Sequence, residues 1–193
     1  MKKLFVLLFS IYYAYAIVRY HIGKDILGDK EFFFVLNKAF AWTAGTLLLL
    51  SLLPSYLLEK YNIKRRAIGT YGYTIALIHI TSSIILLDPK LYSKFYIDSQ
   101  ISLDGWLFIS LGILSILFFS LPLIASLKNL PIEHSLYRFG KYGVFINLMH
   151  VSAIGISGWF HISTWALGMP PITLIFFLEA ITVIVYRYWI LKK

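Results

Sequence analysis

Apolar residues fall along this chain in long unbroken runs, without the alternation of a soluble strand or the one-sided stripe of a soluble helix. Six such runs, near Leu4–Val18, Val35–Leu58, Ala67–Leu87, Leu103–Leu127, Phe139–Phe160 and Ile172–Ile190, are joined by short polar connections. A helix needs about 20 predominantly apolar residues to cross the bilayer hydrocarbon, where only helices and closed barrels satisfy their own backbone. The pattern therefore predicts an all-α integral membrane bundle of six transmembrane helices, a single domain over residues 1–193. The first run is the shortest. It follows Lys2 and Lys3 and carries Ala14-Tyr15-Ala16, which imitates a signal-peptide cleavage site, but its apolar character continues past that point, so it reads as a span. Pro54 and Pro122 fall inside the second and fourth runs, where a missing backbone donor would bend each helix.

Composition agrees: 59% of residues are hydrophobic and the mean hydropathy is +0.76, against roughly 45–50% apolar in soluble domains. Six spans consume nearly all 193 residues and leave no room for a soluble nucleotide-binding domain of ~100–150 residues. Any cofactor chemistry then lies within the bundle or on a separate protein. The absence of cysteine excludes disulfides, thiolate metal sites, iron–sulfur clusters and covalent C-x-x-C-H haem attachment.

The net charge of +9 does not point to nucleic acid, because the basic residues gather at helix ends. With the N-terminus inside, the cytoplasmic set is Lys2, Lys3, Lys60, Lys64, Arg65, Arg66, Lys128, Arg138, Lys141, Arg187, Lys192 and Lys193, opposed only by Glu59 and Glu133. The other face carries Arg19, Lys24, Lys30, Lys38, Lys90 and Lys94, balanced by Asp25, Asp29, Glu31, Asp88, Asp98 and Asp104. That asymmetry is the positive-inside pattern of a chain with both termini cytoplasmic.

Ionisable residues inside spans are costly and mark function by default. Of the five histidines, only His79 and His150 lie well inside predicted spans, the third and the fifth. His79 follows Arg66 by 13 residues and His150 follows Arg138 by 12. At about 1.5 Å per residue both imidazoles sit roughly 18–20 Å from the cytoplasmic boundary, nearly level. Gly72, Ala76 and Ser83 share the face of His79, and Gly143, Asn147, Ala153 and Ser157 that of His150. Small residues there leave room for a flat macrocycle, and equally promote close helix packing. Two level imidazoles suit axial ligation of one haem; another metal, a proton relay or plain hydrogen bonding between helices would use the same residues.

The stretch Arg65-Arg66-Ala67-Ile68-Gly69 through Leu77-Ile78-His79-Ile80-Thr81-Ser82 resembles the Arg-Arg-x-x-Gly and Leu-His-x-Thr-Ser signature of the ferric-reductase-like transmembrane domain family. The closest likeness is to the haem-binding membrane subunits of bacterial periplasmic protein-methionine-sulfoxide reductase systems, the MsrQ/YedZ type. It extends through Leu136-Tyr137-Arg138-Phe139 and Tyr142 to His150. The resemblance implies a haem b held by His79 and His150 in a multi-pass protein of the bacterial inner membrane. It also implies electron flow from a cytoplasmic flavin reductase or the quinone pool to a periplasmic molybdopterin reductase subunit, and an FMN near the cytoplasmic face. Where related sequences carry a further histidine, 13 residues before the helix-five ligand, this chain has Tyr137. One haem rather than two is therefore expected.

Arg65 and Arg66 are expected first as topological anchors, and their guanidinium groups also suit propionate or flavin phosphate. His161, eleven residues after His150, is placed on the same helix face near the outer surface, as a propionate contact or an ordinary interfacial histidine. Arg19 and His21, ending the first run, are candidates for propionate pairing. His134 reads as solvated. Glu179 is the one carboxylate deep in a span, suited to a proton-linked role or a structural hydrogen bond. The stretch from His161 to Pro171 reads as interfacial or as a docking surface. The sequence reading is thus an electron-transfer subunit whose substrate chemistry lies on a partner. Its rivals are a stand-alone membrane cytochrome b reducing ferric iron or oxygen, and a haem-free transporter or assembly factor.

Overall fold

The computed structural model describes residues 2–22, 30–131 and 134–190, and the side chain of Ile190 is not among the described groups. Lys24, Asp25, Asp29, Glu133, Lys192 and Lys193, which enter the charge count above, lie outside the described residues.

Seven α-helices carry almost all of the described chain. They are α1 (Lys2–Ala16), continued by a π-helical turn Ile17–Ile22; α2 (Glu31–Leu50); α3 (Ser55–Glu59); α4 (Arg65–Ile85); α5 (Leu103–Leu127); α6 (Phe139–Trp159); and α7 (Ile172–Val185), continued by a π-helical turn Tyr186–Ile190. The one sheet among the described residues is a two-stranded hairpin, β1 (Tyr96–Ile97) with β2 (Gln100–Ile101), between α4 and α5. Asp98 and Ser99 turn it with positive φ.

Among the described residues, five segments are long and apolar enough to cross a membrane: Lys2–Ile22, Glu31–Leu50, Arg65–Ile85, Leu103–Leu127 and Ala166–Trp189. The protein is therefore an all-α, multi-pass bundle suited to a lipid bilayer. Helix α6 is 21 residues long, but Lys141, Asn147 and His150 together with four glycines dilute its hydropathy.

Contacts close α2, α4, α5, α6 and α7 into a ring, with α1 outside it against α2. Helices α4 and α6 scarcely touch; each instead borders α5. The pairings Asn37–His79 and Ser51–Arg65 run α4 antiparallel to α2. Ser115–Gly143 and Phe108–His150 run α6 antiparallel to α5, and Trp42–Glu179 ties α7 to α2. The bundle thus has a hairpin end, with the α4–α5 connection and residues 160–171, and a basic end, with the starts of α1, α4 and α6. Within it, Leu47, Leu49, Ile68, Phe119, Val144, Leu148, Phe176 and Ala180 belong to one buried apolar cluster.

Two expectations need correction. Pro54 does not bend a second span, because α2 ends at Leu50 and Pro54, with φ −57° and ψ 143°, caps the short α3. A proline disfavours helix in the residue before it, so the chain turns here and its last apolar residues form a separate helical turn. Lys38, counted above with the other face although it falls inside the run Val35–Leu58, stands in the eighth position of α2. Pro122 does lie inside α5.

Gly72 shows why small residues recur on α4. A β-carbon there would come within 3.1 Å of Leu47 Cβ and of the Leu48 backbone nitrogen, so any side chain forces α2 and α4 apart. At Gly69 the nearest atom would be an ordinary 3.5 Å away. Gly72→Val is accordingly expected to destabilise the bundle by about 1–3 kcal/mol through overpacking, with Gly69→Ala nearly neutral. Thermal unfolding in detergent measures both, and equal melting temperatures would contradict this account of the α2–α4 contact.

Candidate functional site

His79 and His150 stand 14 and 11 residues into α4 and α6, a rise of about 21 and 17 Å from the basic end. Each ring is tied to a neighbouring helix through Nδ1. His79 Nδ1 lies 2.7 Å from Asn37 Oδ1 on α2, and His150 Nδ1 lies 2.7 Å from the Phe108 carbonyl oxygen on α5. Both partners are acceptors, so each Nδ1 carries the proton and donates, leaving Nε2 as the basic nitrogen. Neither Nε2 makes a hydrogen bond or is enclosed as a buried orphan among the described residues. Both residues are half-buried and within electrostatic range of each other and of Lys38.

The second layer was not anticipated from the sequence. Asn37, 1% exposed, also donates from Nδ2 to Ser83 Oγ at 2.9 Å and to the Tyr92 hydroxyl at 3.1 Å. His79 is therefore locked in rotamer and tautomer by a network spanning α2, α4 and the α4–α5 connection. The one available signal was an asparagine inside an apolar run, the same cue that singled out the histidines. His150 is fixed sterically as well: a β-carbon at Gly112 would approach its Cε1 to 3.1 Å, so α5 has no side chain where this ring lies. Gly72 and Gly143 serve helix packing, against Leu47–Leu48 and against the Phe119 ring respectively. Of the two readings of the small residues, close packing is the one these two glycines follow.

The other candidates lie elsewhere along the bundle. Arg65 and Arg66 are at the basic end, about 20 Å from His79 along α4. Arg65 Nε donates to the Ser51 carbonyl at the end of α2 at 2.7 Å. Arg66 clamps the α5–α6 connection, donating to Asn129 Oδ1 at 2.8 Å and to Leu130 O and the Tyr137 hydroxyl at 3.0 Å. Both border a cleft of about 680 Å³, its solvent-open part included, lined also by Thr70, Tyr73, Pro122 and Tyr137. The arginines thus belong to a separate place from the histidines. His161 is exposed, beyond the end of α6, and its Nδ1 lies 2.7 Å from the Ser157 carbonyl. His134 caps the 3-10 turn that precedes α6, accepting from Leu136 N.

Arg19 and His21 are engaged within the protein. Arg19, 3% exposed, donates to the Met169 carbonyl, and His21 Nδ1 lies 2.8 Å from Glu31 Oε1. With the Tyr15 hydroxyl donating to Pro170 O at 2.6 Å, Arg19 holds the 162–171 segment against α1. Glu179 receives Trp42 Nε1 at 3.1 Å and Thr46 Oγ1 at 2.9 Å, a hydrogen-bonded carboxylate at the α2–α7 contact.

No protein-family model matches the chain, and no curated protein matches it. The site is therefore read from its own chemistry.

Removing the Asn37 amide leaves His79, Ser83 and Tyr92 short of a buried partner, and an unsatisfied buried polar group costs about 1–3 kcal/mol. Asn37→Ala is expected to lower the unfolding temperature by that measure, and Asn147→Ala, which breaks no hydrogen bond seen here, much less. If both variants melt alike, the network does not support His79.

Proposed function

We propose that this chain is a haem-binding membrane electron-transfer subunit, crossing the bilayer six times with both termini cytoplasmic, whose substrate chemistry resides on a partner. The observation that carries this reading is the pair of imidazoles on α4 and α6, each with Nδ1 donated to a fixed acceptor and Nε2 turned to no protein partner. Metal-ligating histidines are oriented in this way, by an acceptor on the second ring nitrogen. Two imidazoles underfill the shell of a bare transition metal. A macrocycle that brings its own nitrogens would suit a pair of imidazoles, and His79 and His150 would hold it. Haem b, when bound, supplies a one-electron couple.

The protein's part would be to hold the group by His79 and His150, presenting both nitrogens in fixed tautomers, with the apolar cluster excluding water. Asn37 and the Phe108 carbonyl fix the tautomer and ring direction of the imidazoles that they accept from. Six crossings are supported by the course of α6, which lies along α5 from the Phe118–Phe139 ring contact to the Phe108–His150 bond. The basic end then faces the cytoplasm. From the family resemblance come the bacterial inner membrane, a periplasmic molybdopterin methionine sulfoxide reductase as acceptor, and a cytoplasmic flavin reductase or quinol as donor. An FMN near the cytoplasmic face, also implied by the resemblance, would lie at the cleft that Arg65 and Arg66 border. A haem-free bundle is the competing reading, favoured by the fact that both Nδ1 bonds also join helices.

The purified protein is expected to show a Soret band of low-spin six-coordinate haem, lost in His79→Ala and His150→Ala and retained in His134→Ala. A protein that folds without a Soret band leaves only the haem-free reading. Since the chain has no cysteine, the crossings are separately testable with single cysteines. Ser163→Cys is expected to react with an impermeant maleimide from the periplasm, and Asn62→Cys and Ser135→Cys only after permeabilisation. Labelling of Ser135→Cys from outside would rule out α6 as a sixth crossing in this orientation.

A further inference from the structure

Two ammonium groups stand on the hairpin side of the imidazoles with no acidic partner among the described residues. Lys38 follows Asn37 on α2, so its backbone is level with His79, and its side chain rises toward the hairpin end. There Nζ lies 4.6 Å from the centre of the Phe34 ring and 4.8 Å from that of Tyr92. Lys94, from the turn Ser93–Phe95, reaches across to α6, its Nζ 3.4 Å from both the Ile154 carbonyl and Ser157 Oγ. Among the described residues the ion pairs are His21–Glu31 and Lys30–Asp88, so neither lysine has a carboxylate within range. Burial and the nearby charge of Lys38 both lower the affinity of Lys94 for its proton.

Lys38 is half-buried, where an ammonium is expensive unless an anion meets it, and Lys94 is exposed beside the end of α6. The ring faces of Phe34 and Tyr92 offset part of the cost for Lys38, and two long hydrogen bonds part of it for Lys94. Both groups keep donors unspent, since an ammonium has three. Each is tied to the surroundings of one imidazole: Lys38 adjoins Asn37, which holds His79, and lies on the ring of Tyr92, while Lys94 reaches the carbonyl of Ile154, one turn beyond His150 on α6. They approach from different elements, α2 and the α4–α5 connection, so they form two separate points of positive charge above one plane.

We infer that Lys38 and Lys94 seat the two carboxylates of the bound porphyrin, so that its propionate edge faces the hairpin end. The inference rests on the haem reading above and adds an orientation to it: the polar edge of the macrocycle points away from Arg65 and Arg66. His161, exposed on the same side and bonded to the Ser157 carbonyl, stands beside Lys94 and does not replace it. Tyr92 couples the two features, because its ring faces Lys38 while its hydroxyl receives Asn37, the residue that fixes His79.

The test is titration of the haem-stripped protein, in detergent, with haem b or with its dimethyl ester, which keeps the iron and the ring but lacks both charges. Each carboxylate–ammonium pair is expected to contribute about tenfold in affinity. Wild type should then prefer the free acid by about a hundredfold, Lys38→Met and Lys94→Met by about tenfold each, and the double variant not at all. Lys30→Met, whose lysine already pairs with Asp88 at 3.4 Å, should keep the full preference. If Lys38→Met fails to fold, the tenfold drop in Lys94→Met alone decides. A wild type that binds both pigments equally, with the low-spin spectrum intact, overturns the lysine assignment and leaves the haem reading standing. A wild type that binds neither pigment overturns both.

Discussion

Every polar side chain that enters the hydrocarbon must find a partner within the protein, in the preceding turn of its own helix or on another helix, because water is not there to provide one. In this bundle that requirement sets which helices meet. Asn37 joins α2 to α4 through His79, Tyr73 joins α4 to α5 through Ser120, and Ser115 joins α5 to α6 at the Gly143 carbonyl. Trp159 joins α6 to α7 through Thr173, and Glu179 closes the ring from α7 back to α2. Apolar contact alone would not select an order, since lipid tails are as apolar as leucine. The polar pairs make one arrangement better satisfied than its alternatives.

The same economy shapes the histidine site. A ring tied through Nδ1 is at once a strut between two helices and a ligand-ready group, because one proton fixes both the tautomer and the direction of Nε2. Glycines then adjust the spacing. Gly112 admits the His150 ring against α5, and Gly143 admits Phe119 where α5 and α6 come closest. The separation of α4 from α6 follows from each leaning on α5 instead.

Charge divides the two ends of the bundle in different ways. At the basic end the arginines are occupied in holding helix ends and connections, with Arg65 on the end of α2 and Arg66 on the α5–α6 loop. At the hairpin end Arg19 is folded under the 162–171 segment, whereas Lys38 lies against the Phe34 and Tyr92 rings and Lys94 reaches the end of α6. A charge count along the sequence treats all of these as equivalent. Their surroundings make anchors of some and candidate ligand contacts of others.

The runs of apolar residues by themselves determined the class of the protein and the approximate bounds of its long helices. Lipid demands a minimum length and hydrophobicity whatever the neighbours are, and that demand is written locally. The histidines of α4 and α6 stood out for the same reason, as costly groups in an apolar setting. What the sequence left undecided was everything that depends on which helices adjoin. Asn37 and Gly112, remote in the chain from the histidines, become their supports only when α2 meets α4 and α5 meets α6. Lys38, which a charge count assigns to a loop, turns inward because the start of α2 lies beneath the α4–α5 connection and its Tyr92. Such contacts are products of packing between segments tens of residues apart, and no local rule of length, hydropathy or spacing contains them.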